Sequence, residues 1–249
     1  MTIIKSAAEV ELMRKVGKIV AAILEKLSGE VRPGIKTRHL DSVAEAELKK
    51  AGAIASFKGY RGYPASLCVS INEEIVHGIP GDRILKEGDI VSLDFGAYLN
   101  GFHGDAAITV GVGEINERAN ELLSVTKTAL MLGIKAARTG VNLGDVSHAI
   151  QEYVEGNGLS VVKEYCGHGV GRNLHEDPQI PNFGEKGIGP ILKKGMTLAL
   201  EPMVTLGDWR TRVDPINKWT VRTADKSLAA HFEHTIAIGE IEPEILTII

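Results

Sequence analysis

Residues 84–94 of the chain read ILKEGDIVSLD, and residues 191–201 read ILKKGMTLALE. Further along, residues 105–111 read DAAITVG and residues 233–239 read EHTIAIG. Two matches in the same order indicate an internally duplicated α/β unit. In each copy one carboxylate ends the first strand and another opens the second. The repeat therefore predicts two pseudo-symmetric halves, about residues 1–120 and 121–249, whose four carboxylates converge at the centre.

Helical and strand periodicities surround the repeat. Ser6 and Glu9 have the spacing of a capping box, and apolar residues then recur at helical spacing from Val10 to Leu27. Thr37 is predicted to cap a second helix that runs to about residue 51. Similar patterns predict helices over residues 117–137 and 143–155, and strands over residues 90–94, 106–110, 196–201 and 234–238.

Composition narrows the class of protein. The 249 residues are 44% hydrophobic and 24% charged, with a net charge of −4, which gives no support to nucleic acid as the main partner. The two cysteines are too few for a disulfide scaffold. The sequence shows neither a signal peptide nor a membrane-spanning run. No linker divides the chain, so we expect one domain over residues 1–249, without membrane contact, in the cytoplasm.

The carboxylates of the repeat are Asp94, Asp105, Glu201 and Glu233. Each lies within or beside an apolar strand, where a charge is costly unless it is neutralised. Singly, each acid is more simply interpreted as a solvated strand end or an ordinary ion pair. As a repeated set, the four negative charges favour two divalent cations, which together polarise a carbonyl and activate a water.

Histidines supply further candidate groups. His168 and His175 lie in the glycine-rich stretch GHGVGRNLHEDP, residues 167–178, but their spacing is not that of a helical zinc pair. One can be a ligand and the other a proton donor or substrate contact. His77 lies at a strand-to-turn boundary, where a lone histidine usually has a packing role. His103 and His231 each precede a candidate ligand by two residues, and the sequence does not favour a ligand-orienting role for either.

The chain resembles the type I methionine aminopeptidases over essentially its whole length. The stretches that carry the resemblance are VHGIP (76–80), DFGAYLNGFHGDAA (94–107), GHGVGRNLHEDP (167–178), LEPM (200–203) and HFEHT (231–235). The short span from His168 to Glu201 leaves no room for the insertion of type II enzymes. The resemblance implies an α+β pita-bread fold, in which a curved antiparallel sheet is covered by helices around a central dinuclear metal site.

The resemblance also implies roles for individual residues. Asp94, Asp105, His168, Glu201 and Glu233 correspond to five metal ligands, with Asp105 and Glu233 bridging both ions. These donors suit Mn, Fe, Co or Zn without selecting among them. The other implied contacts are to substrate: His77 and His175, together with a methionine pocket formed by Tyr60, Tyr63, Cys68 and Trp219. Two positions depart from the family pattern: Ala106 stands where Ser or Thr is common, and Arg61 where His is frequent.

The implied function is removal of the initiator methionine from nascent proteins that have a small second residue. A metal-bridging hydroxide would attack the peptide carbonyl, Glu201 would take the proton, and His77 and His175 would stabilise the intermediate. A monomer with transient ribosome association is expected. The alternatives are another pita-bread aminopeptidase such as a prolidase, which usually has an extra N-terminal domain, a catalytically inactive binding module of that fold, and a purely structural protein.

Overall fold

A computed structural model describes residues 2–249. Its four α-helices over this range are α1 (Ala7–Glu30), α2 (Thr37–Ala51), α3 (Glu117–Ala136) and α4 (Leu143–Gly156), and Tyr60–Gly62 forms one 3-10 turn. Helices α2, α3 and α4 lie within two residues of their predicted bounds, and α1 extends three residues beyond each end of its predicted apolar run, Val10 to Leu27. The predicted capping box at the start of α1 is confirmed, because Ser6 accepts from the Glu9 amide and Glu9 accepts from the Ser6 amide.

The predicted cap at Thr37 is wrong. Lys36 is the N-cap of α2 and makes no side-chain capping bond, while Thr37 is already helical. Lys36 forms a β-bridge to Ile84, which holds this part of the chain extended. The Thr37 hydroxyl instead accepts from the Gly81 amide at 2.8 Å and donates to the Gly81 carbonyl, so it anchors α2 to the 80–84 loop.

Fifteen strands are formed within residues 2–249. They are β1 (Ile54–Ala55), β2 (Leu67–Ile71), β3 (Glu74–Val76), β4 (Ile90–Leu99), β5 (Phe102–Gly111), β6 (Ser160–Val161), β7 (Cys166–Gly169), β8 (Glu176–Pro181), β9 (Thr197–Leu200), β10 (Met203–Thr205), β11 (Thr211–Val213), β12 (Val221–Thr223), β13 (Ala229–His231), β14 (Glu233–Ala237) and β15 (Glu244–Ile245).

One large antiparallel sheet organises the molecule. Its order is β1-β4-β5-β14-β9-β7-β8, with β2 also paired to β4 and β15 also paired to β14. Two three-stranded sheets, β13-β10-β6 and β11-β12-β3, flank it. The predicted α+β class is thereby confirmed. At the centre, β5 from the first half meets β14 from the second half, so the two copies of the repeat join there.

The first pair of central strands is longer than predicted. β4 and β5 form a ten-residue hairpin closed by Asn100 and Gly101, both of which have a positive φ that suits a tight turn. Asp94 and Asp105 therefore lie inside strands, and the prediction that they mark strand ends is wrong. In the second half the carboxylates do mark strand ends, because Glu201 directly follows β9 and Glu233 is the first residue of β14.

The helices cover one side of the large sheet in two similar pairs. Apolar residues of α1 and α2, such as Val20 and Leu40, pack with Leu93 and Phe95 of β4. Those of α3 and α4 pack with the second half of the sheet, including Ile236 of β14. Burial of these faces provides the main favourable term for folding. Among the described residues, no helix is long and apolar enough to cross a membrane.

Candidate active site

The strand register brings three of the candidate ligands together on one face of the large sheet. Asp94 pairs with Ala107, and Asp105 lies two residues away from Ala107 on the same strand. Glu233 pairs with the same Ala107 from the other side. Residues paired across strands, or two apart along one strand, point to the same face. The three carboxylates therefore face the side away from the helices that pack on Leu93.

The second half of the sheet adds two residues to this face. Continuing the β14–β9 register brings Glu201 opposite Glu233. His168 on β7 pairs with Ala199, two residues before Glu201, and so shares its face. All five candidate ligands line a single cavity of about 150 Å³.

Three of the five are close enough to share one ion. Ligand atoms of Asp105, His168 and Glu233 all lie within 4.8 Å of one another. The Nε2 atom of His168 is 3.5 Å from Oε1 of Glu201 and 3.9 Å from Oδ2 of Asp105. Asp94 lines the same cavity beside this group.

Burial and mutual repulsion make the four carboxylates costly in their charged forms. Burial raises the pKa of Asp94, Glu201 and Glu233 well above the usual range, and the neighbouring acids raise it further. Burial likewise raises the pKa of Asp105 to about 7. Across the described residues, Oδ1 of Asp94, Oδ1 of Asp105 and Oε1 of Glu233 have no hydrogen-bond partner. Clustered, unpartnered carboxylate oxygens beside an imidazole are the donor set that divalent cations take.

The glycines beside His168 let the strands approach closely. A Cβ at Gly167 would lie 2.4 Å from the Ala199 carbonyl oxygen, and one at Gly169 would lie 2.2 Å from that of Asp177. The His168 Nδ1 atom is 2.9 Å from the Gly169 carbonyl oxygen, which fixes the ring and leaves Nε2 towards the carboxylates. Burial lowers the pKa of His168, so the ring is neutral and suited to ligation at neutral pH.

His77 borders the cavity at the end of β3. Its backbone has φ = 60°, a left-handed conformation that is uncommon for a non-glycine residue and that clusters at functional sites. Its ring meets Trp219 edge-on at 6.3 Å and Tyr165 at 6.0 Å. Burial lowers the pKa of His77 to about 4. The imidazole is therefore neutral at physiological pH and can donate a hydrogen bond into the cavity.

His175 lies between the metal-ligand candidates and the cavity mouth. Its ring centroid is 4.2 Å from that of His168 and stacks on Tyr60 at 5.2 Å. The Arg61 guanidinium carbon lies 5.4 Å from the centroid of the Tyr60 ring, and Arg61 is an exposed residue that lines the cavity, so this departure from the family pattern lies at the rim. Burial, then the nearby His168 and Arg61, lower the pKa of His175 to about 3.

An apolar pocket adjoins the carboxylates. Tyr63 meets Trp219 edge-on at 5.2 Å, and its hydroxyl donates to the Gly78 carbonyl at 2.8 Å. Cys68 pairs with Asp94 across β2 and β4, and burial raises the pKa of its thiol, so it is protonated. Tyr60, Tyr63, Cys68 and Trp219 pack in one apolar cluster and line the cavity, and their role as a methionine pocket stays a prediction.

Two positions that the sequence singled out lie away from the carboxylates. The Ala106 side chain is buried in the helix-covered core, and what it contributes to Asp105 is its backbone N–H. The departure at Ala106 therefore removes no side-chain contact on the site face. His103 bonds through Nδ1 to the Ser56 hydroxyl at 2.8 Å and, among the described residues, forms no hydrogen bond or ion pair with a carboxylate of the site.

Sequence reasoning did not assign three residues to the site. Phe57 and Leu174 line the cavity, and each is a short step from a motif residue, Tyr60 and His175 respectively. Their apolar character alone gave no signal that separates them from core residues. The third is His231, whose Nε2 atom lies 3.6 Å from Oε2 of Glu201. The two-residue spacing to Glu233 was its only signal.

Comparison with known proteins agrees with this geometry. The model of metallopeptidase family M24 matches residues 11–240. Methionine aminopeptidase 1 of Bacillus subtilis is 54% identical over 247 residues, covering 99% of each chain. The crystal structure of methionine aminopeptidase from Thermotoga maritima superposes with a TM-score of 0.98 at 51% identity, covering 100% of each chain.

A more distant structure shares the fold alone. Prolidase from Pyrococcus furiosus superposes with a TM-score of 0.79 at 24% identity, and the match covers 99% of this chain but 65% of the prolidase. The pita-bread fold is thus common to several peptidases, whereas high identity over the full length is found with methionine aminopeptidases. This chain belongs to metallopeptidase family M24 and, within it, to the type I methionine aminopeptidases.

Proposed function

We infer that this protein is a metal-dependent aminopeptidase that hydrolyses the peptide bond after an N-terminal methionine. The observation that supports this most directly is the group of four buried carboxylates with raised pKa values at the floor of an apolar-walled cavity. Such a group is stable in its charged form only with cations bound. Because the carboxylates adjoin an apolar pocket, a methionine side chain bound in that pocket would bring the following peptide bond next to the cations.

We assign Asp94, Asp105, His168, Glu201 and Glu233 as the residues that would hold two divalent ions. Two ions carry four positive charges, which balances the four carboxylates. Bound there, such ions supply a Lewis acid for the peptide carbonyl and lower the pKa of a bound water. Mn, Fe, Co and Zn all accept this set of oxygen and imidazole donors.

The remaining steps belong to protein side chains. Glu201 lines the cavity, and a carboxylate so placed can accept a proton from water and pass it to the leaving amine. His77 and His175 are neutral because burial lowers their pKa values to about 4 and about 3. Each can therefore donate an N–H to the negative charge that develops on the carbonyl oxygen.

Specificity for methionine fits the pocket walls. An unbranched thioether packs well against aromatic edges, and Tyr63 and Trp219 present such edges. The protonated thiol of Cys68 adds a soft, uncharged contact. The preference for a small second residue is proposed from the resemblance to the type I methionine aminopeptidases.

We further propose that the substrates are the N-termini of nascent polypeptides, met in the cytoplasm by a monomer that associates transiently with the ribosome. The names of the relatives support the methionine substrate. Both cysteines are free thiols, which fits a reducing compartment.

The test is methionine release from a Met-Gly-initiated tripeptide by chelator-stripped protein, with Mn, Fe, Co or Zn added back separately. We expect metal-dependent release from the free peptide and none from its N-acetylated form. Release should fall when Leu replaces Gly at position two. Glu233→Gln should abolish release, whereas Glu240→Gln, at an exposed residue of the same region, should not. Folded protein that releases nothing with any metal would overturn the proposal.

A further inference from the structure

His231 is a buried histidine to which the proposed reaction gives no role. It ends β13 and is 1% exposed. Within residues 2–249, neither of its ring nitrogens has a hydrogen-bond partner. Its Nε2 atom lies 3.6 Å from Oε2 of Glu201 and 3.9 Å from Oε2 of Glu233. Buried polar atoms normally find partners, so this ring requires an explanation.

The backbone of His231 is fixed on two sides. Its N–H donates to the Thr109 hydroxyl at 2.9 Å, and the same hydroxyl donates to its carbonyl at 2.7 Å. On the other side it pairs with Met203 of β10. The hydroxyl of Ser92 lies 2.8 Å from that of Thr109 and extends this network. The ring is therefore aimed at the two carboxylates by a rigid support.

The surroundings select one ring proton position. A hydrogen on Nε2 points towards two acceptor oxygens and leaves only an unfilled lone pair on Nδ1. The other neutral tautomer would place an Nε2 lone pair against two carboxylates and bury an Nδ1–H without an acceptor, which costs more. A shift of about half an ångström would bring Nε2 within hydrogen-bond length of Glu201.

We propose that His231 is a positioning residue, whose Nε2–H donates to Glu201 and Glu233 and orients both carboxylates to bind metal. The inference rests on the proposed metal-dependent function. Glu201 is also held from the backbone side, since Asn182 donates to its carbonyl at 3.1 Å. Together the two contacts fix both ends of this ligand. Groups that orient ligands in this way contribute about 10- to 100-fold to metal affinity.

The experiment measures the dissociation constant of Mn²⁺ by titration calorimetry on chelator-stripped protein. His231→Leu removes both ring nitrogens at similar volume. His231→Gln places an amide N–H near the position of Nε2, whereas the shorter His231→Asn does not reach it. His234→Leu is the matched control, because His234 is a neighbouring half-buried histidine that bonds Thr247 at 2.9 Å on the helix side of the sheet.

We expect His231→Leu and His231→Asn to weaken Mn²⁺ binding about 10- to 100-fold, and His231→Gln to stay within about threefold of wild type. His234→Leu should lower the melting temperature without changing the Mn²⁺ affinity. If the Leu variant does not fold, the Gln and Asn variants still decide the question. Equal affinity in those two variants overturns the proposal. A wild-type protein that binds no metal would overturn the proposed function instead.

Discussion

At the scale of single residues, His175 has a position that separates it from the ligands. Its ring lies 4.2 Å from that of His168, yet it is outside the group of Asp105, His168 and Glu233 whose ligand atoms converge. It stacks on Tyr60 at the cavity mouth. We propose that a group so placed contacts the substrate and is not needed to hold the ions.

We therefore expect His175→Ala to lower kcat about 10²- to 10⁴-fold while leaving metal content unchanged. The loss follows because the variant has no N–H for the carbonyl oxygen. Steady-state kinetics and elemental analysis of the same preparation check the two parts. His39→Ala, at an exposed histidine of α2, should match wild type in both. Loss of metal from His175→Ala would show that His175 is a ligand instead.

The sequence predicted the site residues better than it predicted their surroundings. Asp105, Glu233 and His168 were recognised because the motifs and the repeat mark them. The left-handed backbone of His77 was not predicted, nor was the absence of hydrogen-bond partners for the described His231 ring, because both follow from tertiary contacts. The position of His231 in the sequence does not show that its Nε2 atom lies 3.6 Å from Oε2 of Glu201.

At the scale of elements, Lys5, just before α1, contacts both Gly195 and Glu176, the residue that follows His175. The Lys5 amide donates to the Gly195 carbonyl at 2.8 Å. Its ammonium lies 2.5 Å from Oε2 of Glu176, and the two side chains are 2% and 3% exposed. Glu176 directly follows His175 and also accepts from the Asn173 amide at 3.1 Å. This buried pair thus fixes the loop that carries His175.

We expect Lys5→Met to destabilise the protein by about 3–5 kcal/mol, because it leaves the Glu176 carboxylate buried and unpaired. The double variant Lys5→Met/Glu176→Leu should recover most of that loss. Urea unfolding of the single and double variants measures the coupling. Lys194→Met, which breaks the exposed pair with Glu240, should cost under about 1 kcal/mol. Equal losses from the buried and the exposed pair would argue against this role for Lys5.

Elements with strong periodicity were predicted well, and short ones were not. The four helices have long amphipathic patterns, and the ends of α2, α3 and α4 matched within two residues. Strands of two or three residues, such as β6 and β13, are too short to show alternation. The β4–β5 hairpin was predicted too short, because the polar residues of the site interrupt its apolar pattern at Asp94 and Asp105.

At the scale of the whole molecule, the duplication explains both the fold and the charge at its centre. Lys36 bridges to Ile84 in the first half, and Asn142 bridges to Ile191 in the second, so each helix pair is tied to its strand in the same way. The sequence predicted two pseudo-symmetric halves because the repeat survives in both copies, but it did not predict these bridges. It could not predict the order of the large sheet, which depends on pairings far apart in the chain.

The central charge predicts how the stability of metal-free protein depends on pH. Burial raises the pKa of Asp105 to about 7, and burial together with repulsion from neighbouring acids raises the pKa of Asp94, Glu201 and Glu233 well above their usual range. In the unfolded chain these acids titrate near pH 4. Between the two values the folded state binds more protons, so the free energy of unfolding falls as pH rises.

Buried histidines make the free energy of unfolding rise with pH, which is the opposite sign, but they do so over a lower pH range. Burial lowers the pKa of His77 to about 4, and those of His175 and His231 to about 3. The unfolded chain protonates its histidines below about pH 6.5, so their contribution to stability is lost as the solution is acidified. Above about pH 7 the contribution of the histidines no longer changes, and the carboxylates determine how the free energy of unfolding varies with pH.

We therefore expect the melting temperature of chelator-treated protein to fall between pH 7 and pH 8, by roughly 2–4 °C for each kcal/mol lost. Bound metal should reverse the sign, because the ligands must be deprotonated to bind and the metal stabilises the folded state more at higher pH. Glu233→Gln in metal-free form should show a shallower fall, since one of the four acids no longer titrates. Thermal unfolding of the three samples at both pH values measures this. A metal-free protein that is more stable at pH 8 would mean that the acids are already charged in the fold, with some partner other than a metal.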